Sequence, residues 1–288
     1  MKRFFLFPVL LIFILGFQAF PAKLKIMTFN IRYDNTDDGI YSWQNRKKLV
    51  FSLLGKESPD IIGFQEVLKS QVADLSGELT GYGWSGVGRD DGKELGEYSA
   101  VFYRKDRFER VDGSTFWLSE TPEVPGSRSW NAACNRIVTW VKLKDRITGD
   151  VLFVFNTHFD HISETARKES AKLLRDRVGQ IAGNGIALIT GDFNDTQGSA
   201  TYSYLVSGTG SFLDTRSTAA VISGPDYSFI GFPFKPDTGN LIDFIFTRNL
   251  EPDRILSYKV LTFNKRGRYP SDHLPVEAIV ETTETSKR

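Results

Sequence analysis

The chain has a single cysteine, Cys134. One thiol closes no intrachain disulfide and builds no cysteine-rich zinc site. Histidine is nearly as scarce: His158, His161 and His273 are the three in the sequence. Any chemistry that needs several imidazoles must draw on them. Neither sign of charge is in excess, because 36 Lys+Arg stand against 35 Asp+Glu, a formal net charge of +1. Proteins that grip nucleic acid by bulk electrostatics carry a strong basic surplus, so a nucleic-acid role here would need a local groove. Repeats, low-complexity tracts and Pro/Ser-rich linkers are absent as well. With 41% hydrophobic and 25% charged residues the chain has the composition of a folded globular protein, which excludes collagen-like and disordered classes. Its 288 residues allow one large domain or two small ones.

The N-terminal segment reads as an address. Lys2 and Arg3 precede an uncharged run from Phe4 to Phe20. A basic start followed by an apolar stretch is the plan of a secretory signal, and the run is shorter than the ~20 residues that span a bilayer. Ala19 and Ala22 are the candidate last residues of the signal, while Phe17 and Phe20 fall where small residues are expected. An uncleaved N-terminal anchor is therefore the alternative. The expectation is residues 1–22 as signal or anchor and 23–288 as one catalytic domain, exported to the periplasm or secreted. Membrane contact would come only through the N-terminal segment, if it is retained.

The remainder alternates strand-like apolar runs with amphipathic helices. Strands are predicted at Lys23–Ile31, Asp60–Gln65, Tyr98–Arg104, Arg136–Lys144, Asp150–Thr157, Ile186–Thr190, Asp243–Thr247 and Pro275–Thr282. Helices are predicted at Trp43–Lys56, Ser70–Gly77 and Ser163–Ala182. One α/β domain with helices outside a stack of sheets fits this order.

The ends of these strands carry the chemistry. Asn30, Glu66, the run Asn156-Thr157-His158-Phe159-Asp160, Asp192 with Asn194, Asp243, and Asp272-His273 each lie at or near a strand end. Such ends converge on one face in α/β proteins, and ligands bind there. Each residue alone has a bland explanation: Asn30 in a turn, Asp160 as a helix cap, His161 on the surface. Together they form the oxygen-rich, cysteine-free donor set of a hard divalent cation such as Mg²⁺, Mn²⁺ or Ca²⁺, beside histidines that carboxylates could orient. That set suits phosphate-ester cleavage. A divalent ion neutralises phosphoryl oxygens, a carboxylate accepts a proton from water, and a held histidine contacts phosphate or leaving group.

The motifs Phe29-Asn30, Gln65-Glu66, Asn156–Asp160 (NTHFD), Gly191–Asn194 (GDFN), Ile242–Phe246 (IDFIF) and Ser271–His273 (SDH) resemble, in this order, the endonuclease/exonuclease/phosphatase superfamily with its deoxyribonuclease I-like fold. The resemblance runs from about Lys23 to Val280. It implies a four-layer α/β (α+β) sandwich, two packed mixed β-sheets flanked by helices. It implies that Asn30 and Glu66 hold the metal with Asp272 near or in the site. Asp192 becomes the base on water, Asn194 orients phosphate, and His273 contacts phosphate while held by Asp243. His158 becomes a second phosphate-side histidine paired with Glu97, and Arg136 a basic phosphate contact. Asn156 joins the substrate-binding set. Two departures are visible: Arg32 stands where some nuclease members carry an acid, and Ile230 where some relatives carry a histidine.

Specificity is expected from loops. Tyr227, Phe229, Phe232 and Phe234 cluster between Pro225 and Pro236, and Phe229 and Phe232 are candidate substrate contacts. The functional expectation is an exported Mg²⁺-dependent phosphoesterase (Mn²⁺ or Ca²⁺ as alternatives), foremost a nuclease or phosphodiesterase. The alternatives are a sphingomyelinase-like enzyme, an inositol or sugar phosphate phosphatase, or a non-catalytic surface binding module of the same fold. The partner is a phosphoester: nucleic acid, phospholipid head group or small phosphate ester. No protein partner is implied.

Overall fold

A computed structural model describes residues 22–234 and 239–282. The signal or anchor expected at residues 1–22 therefore lies almost wholly outside the described residues. Among the described residues no helix is long and apolar enough to cross a membrane.

In chain order the strands are β1 (Lys23–Asn30), β2 (Ile61–Val67), β3 (Tyr82–Ser85), β4 (Tyr98–Arg104), β5 (Phe108–Trp117), β6 (Ile137–Asp145), β7 (Val151–His158), β8 (Ile186–Asp192), β9 (Leu213–Asp214), β10 (Val221–Ser223), β11 (Asp243–Arg248), β12 (Ile255–Val260) and β13 (Val276–Glu281). The helices are α1 (Trp43–Glu57), α2 (Lys69–Glu78), α3 (Glu164–Ala182), α4 (Ala200–Val206) and α5 (Thr215–Thr218). One sheet has the order β10-β12-β13-β1-β2-β4-β3, the other β5-β6-β7-β8-β11-β9. Both are mixed: β1–β2 and β7–β8 run parallel, their other neighbours antiparallel. The sheets pack face to face through β1, β2 and β4 against β6, β7, β8 and β11. This is the four-layer sandwich that the motifs implied.

Period-two alternation builds the layers. In β1, Leu24 and Ile26 join the core between the sheets, while Met27 and Phe29 join the core beneath α1 and α2. In β2, Ile61 faces inward and Ile62 and Phe64 outward, and in β4 Val101 and Tyr103 oppose Ala100 and Phe102. Outside the second sheet, α3 contributes Ala171, Leu174 and Val178 to the buried core. Ser163 caps this helix by accepting the Ala166 amide at 3.1 Å.

The inward face changes character along its length. Next to Leu24, Ile26, Ile61, Leu152, Val154 and Leu188 the inward positions turn polar: Thr28, Gln65, Asn156 and Thr190, all fully buried. Asn156 is at the centre. Its Nδ2 donates to Phe64 O at 2.7 Å and Ala100 O at 2.9 Å. Its Oδ1 accepts from Gln65 Nε2 at 2.6 Å and Thr190 Oγ1 at 3.0 Å. Every hydrogen-bonding position of that carboxamide is used, as burial requires. The expected substrate contact through Asn156 is thus corrected: alternation aims it between the sheets, where it fastens one to the other.

Five strands are not anticipated by the sequence: the short β3, β9 and β10, the ten-residue β5, and β12. β5 is exposed over half of its length and carries Glu109, Arg110 and Asp112, which hide the apolar alternation. β12 is short, with exposed Lys259 and half-buried Leu256 and Ser257.

Gly63 is where the sheets come closest to polar atoms. A Cβ there would lie 2.1 Å from Thr190 Oγ1 and 2.6 Å from Asn156 Oδ1. Gly63→Ala must displace one sheet or break the polar layer. We expect a loss of about 1–3 kcal/mol in urea unfolding, the usual cost of overpacking; unchanged stability would show that the layer yields freely.

Candidate active site

The polar end of the intersheet layer opens into a cavity of about 660 Å³. Strand register assembles its floor. His158 ends β7 and is the register partner of Asp192, which ends parallel β8. Asp192 in turn faces Asp243, the first residue of antiparallel β11. Three adjacent strands so place three titratable groups side by side. Asp243 Oδ2 lies 2.8 Å from His273 Nδ1, and His273 Nε2 points to Asp192 Oδ2 at 3.7 Å. Asn194, in the left-handed region at φ 49°, donates its amide to Asp192 Oδ1 at 3.0 Å. Its side chain lies 2.9 Å from His158 Nε2 and donates to Phe159 O at 3.0 Å.

The first sheet supplies the opposite wall. Asn30, at the end of β1, donates to Asp192 Oδ2 at 2.9 Å and to Glu66 Oε1 at 3.0 Å. A register irregularity between Phe64 and Val67 interrupts β2, and Glu66 sits there with φ 61°. A bulge re-aims a side chain in this way, and this one brings the Glu66 carboxylate to the cavity. Asp272 reaches the same wall. Ser271 Oγ lies 2.8 Å from Asn30 O and 3.1 Å from Asp272 Oδ1, tying the last loop to β1. Arg46, buried on α1, donates to the carbonyls of Ile31, Arg32, Tyr41 and Pro270, holding both loops from beneath.

Burial and neighbouring charge set the protonation states. Burial and the adjacent Asp243 carboxylate raise Asp192 to about 7, against the opposing pull of His273 and the Asn30 hydrogen bond. Burial would lower His273, but Asp243, then Asp192 and Asp272, outweigh it and raise the imidazole to about 10. His158 goes the other way: burial first, then Arg136 and Arg89, push it well below its usual value. The site therefore holds one charged and one neutral imidazole. Asp272 is raised by burial and by the Glu66 charge.

The cavity collects most of the residues expected from sequence: Glu66, Glu97, Arg136, His158, Asp192, Asn194, Phe229, Asp272 and His273 line it. Asn30 and Asp243 lie just behind, acting through Glu66, Asp192 and His273. Phe229 packs its ring edgewise on His273 at 5.0 Å. Phe232 is corrected: it stacks on Tyr41 at 4.6 Å and does not line the cavity. Glu97 stands 3.9 Å from His158 Nδ1, too long for a hydrogen bond, and instead receives Arg89 Nη1 at 2.7 Å. His161, expected on the surface, is exposed yet borders the cavity. Arg89 and Arg46 went unnoticed in the sequence, since neither sits in a motif and arginine is common in solvated loops and helices.

Two groups offer places for a cation. Asp192, Asp243 and His273 present donor atoms within 4.8 Å of one another, but Asp243 and the Nδ1 of His273 already share a proton. Glu66 and Asp272 are the better fit. They offer oxygen donors beside the Asn30 carboxamide, at the edge of the field of Arg32, whose guanidinium is hydrogen-bonded to Asp38 at 3.1 Å and lies 3.9 Å from Glu66 and 4.0 Å from Asp272. An all-oxygen donor set of this kind suits a hard divalent metal.

Comparisons with known proteins agree with this geometry. An endonuclease/exonuclease/phosphatase protein of Bacteroides vulgatus is 41% identical, with a TM-score of 0.86 over 91% of this chain and 100% of that one. A mannosyl-6-phosphatase of Bacteroides thetaiotaomicron is 36% identical, with a TM-score of 0.82 over 89% of this chain and 99% of that one. The human nocturnin catalytic domain shares the fold at 18% identity, with a TM-score of 0.67 over 90% and 95% of the two chains. The profile of the Endonuclease/Exonuclease/phosphatase family matches residues 27–273, which takes in all six motifs and every wall of the cavity, and the chain belongs to that family of phosphoester hydrolases.

Proposed function

We propose that the protein is an exported, Mg²⁺- or Mn²⁺-dependent phosphatase that removes phosphate from a small polar ester of the sugar-phosphate kind. The observation that carries the catalytic reading is the Asp243–His273–Asp192 chain facing Glu66 and Asp272 across one cavity. Three things favour a small ester over the phosphodiester that leads from sequence alone. The cavity has the size of a small-molecule site. The chain lacks the basic surplus that a long anionic polymer calls for. The 36%-identical mannosyl-6-phosphatase matches nearly end to end. Export rests on Lys2, Arg3 and the uncharged run from Phe4 to Phe20.

In this reading the substrate phosphate lies between His273, Asn194 and the Glu66–Asp272 wall. Asp192 takes a proton from the attacking water, its carboxylate held by Asn30 and by the Asn194 amide. His273, kept as imidazolium by Asp243, donates from Nε2 to a phosphoryl oxygen and stabilises the charge that develops there. His158, neutral and held at Nε2 by Asn194, borders the phosphate position without adding charge. Glu66, Asp272 and Asn30 would hold the metal, which supplies charge neutralisation at phosphate and leaving oxygen.

Three outcomes are expected. Hydrolysis of p-nitrophenyl phosphate and mannose 6-phosphate should need Mg²⁺ or Mn²⁺ and stop with excess chelator; equal rates in both conditions would overturn the metal assignment. Asp192→Asn and His273→Gln should each cut kcat by about 10² to 10⁴, the range of general acid–base and electrostatic contributions, with unfolding midpoints close to wild type. Rates near wild type would remove those residues from the chemistry. The full-length chain expressed in a bacterium should be recovered outside the cytosol, and a purely cytosolic product would refute export.

A further inference from the structure

The arginine side of the cavity carries donors that this reaction does not use. The His158 ring divides the space. Its Nε2 lies 2.9 Å from Asn194 and 3.5 Å from Asp192. Its Nδ1 faces away from them toward Glu97, without a hydrogen-bond partner. On that far side stand Arg89 and Arg136. Both line the cavity, and both border a small adjoining void together with Glu97, Asn135 and His158.

Arg136 is 4% exposed. It spends Nη2 on His161 Nδ1 at 2.9 Å. Its Nε lies 3.7 Å from Asp160, and neither Nε nor Nη1 makes a hydrogen bond. Asp160 has little left to give, since it accepts the amides of Ala133, Ile162 and Ser163. Arg89 spends Nη1 on Glu97, and its Nε makes no hydrogen bond. Two guanidinium groups thus share one wall, with buried N–H donors unspent. Buried donors without partners are costly and rare, and two like charges side by side add to the cost. Because His161 Nδ1 accepts from Arg136, the ring proton lies on Nε2, a further donor at the rim. Forked guanidinium donors match the oxygens of a carboxylate or phosphate.

We propose that Arg89, Arg136 and His161 form a second anion subsite, which holds an acidic group carried on the leaving group of the ester. The substrate class is then a polyol or sugar phosphate bearing a second phosphate or a carboxylate. The inference rests on the phosphatase reading for its place in catalysis. Its own support is the set of unspent donors on the side of His158 away from Asp192.

The test uses the Mn²⁺-loaded enzyme and four esters: fructose 6-phosphate and glucose 6-phosphate, with neutral leaving groups, and fructose 1,6-bisphosphate and 6-phosphogluconate, with acidic ones. The acidic pair should show KM lower by about tenfold or more, the worth of one charge-assisted contact. The bisphosphate against the phosphogluconate then separates phosphate from carboxylate. Arg89→Gln and His161→Gln should each collapse the ratio between the pairs; His161 is exposed, so its variant folds even if loss of Arg89 unsettles Glu97. A wild-type ratio near one overturns the subsite and leaves the phosphatase standing. Variants that raise KM equally for all four esters also overturn it, because the arginines would then serve the transferred phosphate. If none of the four is hydrolysed, the phosphatase reading fails for these sugars, and calorimetry decides the subsite. Metal-free wild type should bind inorganic phosphate at one site that His161→Gln and Arg89→Gln weaken about tenfold, and undiminished binding in both variants overturns it.

Discussion

One buried carboxamide joins the two halves of this molecule where the chemistry lies. Asn30 ends the central strand of the first sheet and donates to Asp192, at the end of a central strand of the second, and to Glu66. The bond is short-lived in meaning unless the sheets hold one register. That register comes from the polar layer just below, where Asn156 spends all four of its hydrogen-bonding positions on both sheets. Apolar packing between sheets is strong but indifferent to small slides. A fully satisfied polar layer is directional, so it selects one alignment of the sandwich. Gly63 belongs to the same constraint, since its missing Cβ lets Thr190 and Asn156 approach.

The electrostatics follow from that alignment. Asp192, Asp243, Asp272 and Glu66 are brought together in a space that water cannot fully reach. Burial and neighbouring negative charge raise two of them, Asp192 and Asp272, toward the protonated form. The protein answers with fixed positive charge in three places: His273 between Asp243 and Asp192, Arg32 near Glu66 and Asp272, and Arg46 beneath the loops that carry Asn30 and Asp272. A divalent ion would complete this balance. The opposite wall has the reverse sign: burial first, then Arg136 and Arg89, hold His158 well below its usual value. The two imidazoles are thereby set apart by environment, His273 raised and His158 lowered.

Much of the architecture is legible in the sequence. The strands carrying Asn30, His158, Asp192 and Asp243, and the helices Trp43–Glu57 and Glu164–Ala182, announce themselves by periodicity, because each buries one face or both. β5 does not, since an exposed, charged strand has little apolar contrast to read; β3, β9 and β10 are too short for a period, and in β12 the buried positions Ile255, Tyr258 and Val260 do not alternate strictly. Site residues in motifs were found for the same reason that motifs exist: a strand end needs a particular residue at a particular place. Arg89 and Arg46 have no such signal, and their importance depends on burial. The misreadings of Asn156 and Phe232 share a cause. Each lies in or near a segment that does reach the cavity, but the direction of a side chain is set by strand parity in one case and by the Tyr41 ring in the other.

By itself the sequence determined the layer order, the family and the inventory of oxygen donors, because alternation and strand-end residues are local properties written within a few positions of each other. Tertiary structure alone decided which of those donors share a proton, which histidine is charged, and that two loop arginines stand together behind His158. Those outcomes depend on distances between residues far apart in the chain and on how completely water is excluded from the space between them, and neither quantity exists until the sheets close.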